Sequence, residues 1–248
     1  VAELEKPGPT HIELPEDIAA AAVEDPELRP LPRTKPDFPE PTDEAIERAA
    51  AMLAASNRPL VLAGNGVLRR RASAQLRALA RGLHVPVAAT FMGKGAIDDR
   101  SHLSLLAVGL QARDHVLSGF DRADLVVSVG YDPVEYGPER WNPDGRKPII
   151  HIDTTPAETD AAYRPSVELI GDISGSLERL LRAVLPQGVG GRDASERHES
   201  QEILVNADLR TALLRELSEH EANQGFPVTP QRAVSDLRQA LGPADVVV

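Results

Sequence analysis

Five short apolar runs, each passing at its carboxyl end into a turn that contains glycine or aspartate, constrain this fold more than any other feature. They are Leu60–Ala63, Val85–Ala89, Leu125–Val129, Pro148–Ile152 and Val167–Ile170. Helix-patterned segments lie between several of them. Thr42 is placed to cap one that carries Asp43, Glu44 and Glu47 in its first turns and Ile46, Ala49, Ala50 and Leu53 on one face. Leu68–Leu83 reads as a second, with Leu76, Leu79 and Leu83 aligned; Gln111–Phe120 reads as a short third and Ile173–Leu185 as the last. Continuous apolar strands alternating with helices predict an α/β, Rossmann-like, doubly wound parallel sheet over residues 42–186. In such a sheet, ligands bind at the carboxyl ends of the strands.

The flanks differ in character. Residues 1–23 contain His11–Pro15, a strand-like alternation closed by proline. Residues 24–41 carry prolines at 26, 30, 32, 36, 39 and 41, which predicts an extended, semi-rigid linker. Gln187–Arg197 reads as a second linker within 187–248. A charged helix over 198–222, with Ile203, Leu204, Leu213, Leu214 and Leu217, follows it. Thr229-Pro230 opens another, ending near Leu241–Pro243, and Val246–Val248 reads as a strand just beginning. The start on Val1 and that closing strand lead us to expect a piece of a longer protein. A formal net charge of -11 argues against nucleic acid and anionic membranes as partners. Cysteine is absent, which removes disulfides and thiolate chemistry, and no apolar run approaches a membrane span. The expected location is cytoplasmic.

Several residues admit both a binding and a structural reading. Gly64-Asn65-Gly66 is either a turn that lets a phosphate approach or a tight strand-to-helix connection; Arg69 in place of a third glycine favours the second. Asn65, Arg69 and Gly130 are the accompanying nucleotide-contact candidates. Asp153 either accepts a ribose hydroxyl or caps the segment at Thr154-Thr155-Pro156, and Asp172 has the same two readings, with capping favoured. Arg69, Arg70, Arg71, Arg77 and Arg81 place a cationic turn against the helix dipole, pointing to a local anion, an acidic partner or a solvated face. His84, His102, His115 and His151 have no metal-ligand spacing, so no metal site is expected, and no G-x-S-x-G elbow supports a hydrolase. Trp141 reads as a packing anchor for the Tyr131–Asn142 loop, and Phe91 and Met92 as core or pocket wall.

Four stretches together resemble the thiamine-diphosphate-dependent decarboxylases and carboligases. They are Gly8–Asp17; Arg58–Gly66; Thr90-Phe91-Met92-Gly93-Lys94-Gly95; and Ile149–Asp153 followed by Glu168–Asp172. Their order is similar to that of the family's central domain, with residues 1–23 resembling the tail of a pyrimidine-binding domain and 187–248 the lead into a pyrophosphate-binding domain. Gly130–Tyr136 with Trp141-Asn142 is similar to acetolactate synthases of the catabolic, FAD-independent kind. The resemblance implies a transferase that joins two pyruvates into 2-acetolactate and CO2 with thiamine diphosphate and Mg2+. By the same resemblance both cofactors are held by the other two domains, FAD is not used, and the whole enzyme is a homo-oligomer, a dimer or tetramer. It further implies that this chain alone is inactive, with no catalytic residue of its own, and that Met92, Gly93 and Gln111 border the pocket. The alternatives are an FAD- or ADP-binding central domain of another such enzyme, and a stand-alone NAD-type enzyme.

Overall fold

The computed structural model describes residues 2, 5–23, 29, 37–109, 115–186, 201–221, 223–242 and 244–247. Its centre is a six-stranded, all-parallel sheet in the order β3-β2-β1-β4-β5-β6. The strands are β1 (Pro59–Ala63), β2 (Val87–Ala89), β3 (Ser104–Ala107), β4 (Leu125–Val129), β5 (Ile149–Asp153) and β6 (Val167–Ile170). The helices are α1 (Glu16–Ala19), α2 (Asp43–Ala55), α3 (Asn65–Arg69), α4 (Ser73–Leu83), α5 (His115–Arg122), α6 (Ile173–Val184), α7 (Gln201–Glu221) and α8 (Pro230–Ala240). The strand order reverses between β1 and β4, so the two neighbouring chains leave in opposite directions there. That makes the carboxyl ends of β1 and β4 the switch point.

Each face of the sheet is buried. Val61, Ala63, Val87, Val127, Val129, Ile150 and Ile152 point to one side, where Leu53 of α2, Leu76 and Leu79 of α4 and Leu177 and Leu180 of α6 cover them. The alternate residues Leu60, Leu62, Ala88, Val126 and Ile149 meet Phe120 of α5, Tyr131, Trp141 and Tyr163. Period-2 alternation of side chains puts every second residue on opposite faces, and both faces are apolar; hence the unbroken hydrophobic runs. On the second side α7 lies against α5 and β3, with Leu209 buried. Arg210 of α7 donates to the carbonyl oxygens of Ser104 and Asp99, at 2.7 and 2.5 Å.

Two expected caps are present: Thr42 accepts from the Ala45 amide and Asp172 from the Gly175 amide. Several expectations are corrected. Leu68–Leu83 is not one helix, because α3 ends at Arg69 and α4 begins at Ser73, with Arg71 left-handed at φ 54°. In a continuous helix Val67 would stand about 140° from Ala72 at 100° per residue. The break lets both be fully buried. An edge strand, β3, lies where no strand was expected, since Ser104–Ala107 is too short to show a pattern. His11–Pro15 forms no strand; it is exposed and followed by the one-turn α1. Val246 and Val247 are exposed and have no strand partner among the described residues, and the strand read there expects none within this unit. Of the third helix the described residues show His115–Arg122; Gln111 lies outside the described residues, as does the Gln187–Arg197 linker.

Candidate functional site

The switch point is closed by backbone. Gly64 donates its amide to the Val129 carbonyl at 2.9 Å, and Gly66 donates to the Gly130 carbonyl at 2.8 Å. A Cβ on Gly64 would lie 2.3 Å from the Gly130 oxygen, and one on Gly66 would lie 2.5 Å from the Gly130 Cα. Gly130 itself is left-handed at φ +56°, a conformation that glycine adopts without steric penalty. After β2, Gly93 is pressed equally hard, its Cβ position falling 2.2 Å from the Ala63 carbonyl oxygen. The turns following β1, β2 and β4 therefore touch main chain to main chain. Close packing of these turns accounts for glycine at Gly64, Gly66, Gly93 and Gly130.

One carboxylate of the chain stands over the start of α3. Glu135 accepts from the Thr90 hydroxyl and from the Asn65 amide. Thr90, fully buried, also receives the Gly93 amide on its side-chain oxygen at 3.0 Å, which fixes the loop after β2. Burial pushes the Glu135 carboxyl above its usual range; the Thr90 hydrogen bond opposes this and nearby Asp132 adds to it. Phe91 and Met92, next in that loop, are each 47% exposed, so neither is a core residue in this chain.

The remaining candidates are engaged with the protein. Arg69 binds the Glu5 carboxylate through Nε and Nη2 at 3.1 and 2.9 Å. Of the readings open for the arginine cluster, at Arg69 the partner is an acidic side chain of the same chain. Asp153, buried at the end of β5, accepts the Thr154 amide at 2.6 Å and the Thr154 hydroxyl at 3.1 Å. Burial raises its carboxyl above the usual range, with the Thr154 amide partly offsetting this. Asp172 receives Gly175 N at 2.8 Å and Arg70 Nη2 at 3.5 Å. Among the described residues no group of three acidic or histidine side chains is placed to hold a metal.

Beneath the loops is a polar chain inside an aromatic cluster. His151 Nε2 is 3.1 Å from the Thr155 carbonyl, and Nδ1 is 2.8 Å from the Tyr163 hydroxyl. A carbonyl can only accept, so Nε2 carries the proton and the Tyr163 hydroxyl donates to Nδ1 in the neutral imidazole. Ser128 Oγ, 2.6 Å from the Tyr163 oxygen, completes the chain. Burial drives the Tyr163 phenol far above its ordinary range, so it stays neutral. Trp141, fully buried, packs edge-on against Tyr131 and Tyr163 at centroid distances of 6.1 Å. Asn142 donates to the Ala162 carbonyl at 2.6 Å. Trp141 is therefore packed as the sequence predicts, and His151 is buried with both ring nitrogens hydrogen-bonded. Tyr163 went unnoticed because it lies in an irregular segment, Thr154–Ser166, without periodicity.

The architecture and these turns can be set against known proteins. The family model for the thiamine pyrophosphate enzyme central domain matches residues 46–180. The chain is 31% identical to a probable acetolactate synthase large subunit of Methanocaldococcus jannaschii, over 99% of this chain and 40% of the relative. It is 31% identical to a catabolic acetolactate synthase of Raoultella terrigena, over 95% of this chain and 41% of the relative. To a glyoxylate carboligase of Escherichia coli O157:H7 it is 30% identical, over 96% of this chain and 39% of the relative. The chain thus spans about 40% of the length of these curated relatives. With its all-parallel sheet and a family match across all six strands, the chain belongs to the thiamine pyrophosphate enzymes, as their central domain.

Proposed function

We propose that this chain is the mainly structural central domain of an acetolactate synthase-like enzyme that joins two pyruvates into 2-acetolactate and CO2. The observation that carries the reading is the closed switch point. The Gly66 amide is bonded to Gly130, Asn65 donates to Glu135, and Arg69 is paired with Glu5. A diphosphate would have to displace all of these, so the residues here do not fit one. Nor do they offer a donor set for Mg2+ among the described residues. In this reading thiamine diphosphate and magnesium are held elsewhere in a longer protein, FAD has no place here, and the chain alone is inactive. Its own contribution is rigidity. The sheet and the Thr90–Glu135 link hold the loop bearing Met92 and Gly93 at a fixed height above β2, where a pocket wall can be presented to another part of the protein.

The relative named glyoxylate carboligase supports a second reading in which glyoxylate replaces pyruvate in the same carboligation. One assay separates these. The full-length protein, supplied with thiamine diphosphate and Mg2+, is offered pyruvate or glyoxylate, and CO2 and the condensation product are followed. Pyruvate consumption with 2-acetolactate formation is expected, and none from the 248-residue chain. Turnover by this chain alone, or no use of pyruvate by the whole protein, would sink the first reading.

A further inference from the structure

The first described residues of the chain lie across the carboxyl end of the sheet, and their charges match what they meet there. The Glu5 side chain is only 9% exposed. Its carboxylate takes both Nε and Nη2 of Arg69, at 3.1 and 2.9 Å, and lies 3.8 Å from Nε of Arg70. Arg70 is itself held between partners, 4.0 Å over the Phe38 ring and 3.5 Å from Asp172. Lys6, the next residue, turns to the other side. Its Nζ is 2.9 Å from Glu158 and 3.5 Å from Asp132. Burial opposes the charge on Lys6, but these carboxylates outweigh it and hold the ammonium above its usual range; its charge also bears on Asp153.

The crevice is therefore bipolar. Arg69 and Arg70 at the end of α3 form its basic side; Asp132 in the turn after β4, Asp153 at the end of β5 and Glu158 in the segment after it form its acidic side. A glutamate followed by a lysine meets both sides in the right order, whereas the reverse order would set like charges against each other. A second crossing supports the first: the Asp172 amide donates to the Pro39 carbonyl at 3.2 Å, and that oxygen fills the space where a Cβ on Gly171 would stand, 1.9 Å away. Single exposed ion pairs contribute little. Here the guanidinium fork of Arg69 holds a nearly buried carboxylate, and several charges share one network, the circumstances in which such pairs become strong and geometrically specific.

We propose that Glu5 and Lys6 form an ionic strap that registers the segment ahead of the sheet domain on the switch-point crevice, filling with the chain's own side chains the place where open parallel sheets hold a ligand. The proposal deepens the structural role given above, but it is read on the chain itself without any activity, so the two fail separately.

Zero-length carbodiimide coupling tests it, because it joins an amine to a carboxylate only when they touch. In the wild-type chain at low salt, mass spectrometry is expected to find Lys6 joined to Glu158 or Asp132. Lys94 and Asp99, 2.8 Å apart in the loop after β2, provide an internal standard. Relative to that standard, the Lys6 adduct should fall severalfold in Glu5→Gln and in Arg69→Glu, although neither change touches Lys6 or its carboxylates. The combination Glu5→Lys with Arg69→Glu should restore it by reversing the pair. Millimolar ADP, the probe for a competing ligand, should change neither the adduct yield nor the melting temperature. Undiminished coupling in both single variants would overturn the strap. So would an ADP-dependent loss of coupling with a rise in melting temperature, since the crevice would then hold a ligand that the strap merely covers.

Discussion

The Gly66 amide donates to the Gly130 carbonyl at 2.8 Å, tying together the two turns between which a sheet of this topology has its ligand crevice. The same contact explains why side chains are excluded at both positions. Substituting Gly66→Ala would drive a Cβ to 2.5 Å from the Gly130 Cα, with no flexible neighbour to yield. A loss of about 3 kcal/mol or more is expected in urea unfolding. Gly8→Ala, which meets nothing within 4 Å, should stay within about 0.5 kcal/mol of wild type. Equal stability of the two variants would contradict the packing role.

Glu135 gives a pH-dependent prediction. Its folded carboxyl lies above the usual range, chiefly through burial. The native state therefore binds the proton more tightly than the unfolded state, and stability falls as pH rises from the ordinary carboxylate range through the raised folded value. Glu135→Gln keeps an acceptor for Thr90 and Asn65 without the charge. Its melting temperature should exceed that of wild type at pH 7, and the gap should close towards pH 4. A constant gap across that range would remove the titration argument.

Asp124 behaves in the opposite sense. Burial opposes its ionisation, but the Ser56 hydroxyl and the amides of Asn57 and Arg58, the latter two at 2.9 and 3.0 Å, outweigh it and lower the carboxyl. These bonds fasten the turn that feeds β1 to the start of β4. Stability from this group is present above the unfolded carboxylate range and is lost as pH falls through the lowered folded value. Asp124→Ala should cost about 2 kcal/mol at pH 7 and progressively less in acid, read from denaturation midpoints.

Tyr163→Phe would leave His151 Nδ1 without its donor in a closed aromatic cluster. A penalty of about 1–3 kcal/mol is expected from the orphaned acceptor, with the fold retained. The tautomer is checked independently by imidazole 15N shifts, which should report a protonated Nε2 in the wild type. A protonated Nδ1 would overturn the assignment, because an unprotonated Nε2 could make no hydrogen bond to the Thr155 carbonyl.

Asp172→Ala removes the acceptor for Gly175 N and the partner of Arg70. A loss of about 1 kcal/mol is expected for the cap, mostly recovered by Asp172→Asn, which keeps the acceptor oxygen. No recovery would assign the effect to Arg70 rather than to the helix end.

Local chemistry made much of this molecule readable in advance. Thr42 and Asp172 cap because their oxygens reach amides three residues on, a relationship contained within one turn. Leu60–Ala63 and Ile149–Ile152 form interior strands because an apolar run with no polar face needs cover on both sides. Boundaries that depend on distant packing were not readable. Arg71 breaks a helix whose leucines alone would permit it to continue, because Val67 must turn inward. Ser104–Ala107 becomes a strand only because β2 supplies an edge to pair with.

The candidate site divides in the same way. Sequence by itself determined the alternating α/β architecture, the turns at the strand ends and the residues able to act there, since periodicity and turn chemistry are local. Only the tertiary structure decided what those residues meet: Gly130 against Gly66, Glu135 on Asn65, Glu5 on Arg69 and Tyr163 on His151. Those partners lie dozens of residues away or in segments without periodicity. Which amide or charge is already satisfied depends on how the strands close side by side, and nothing in the local pattern carries that.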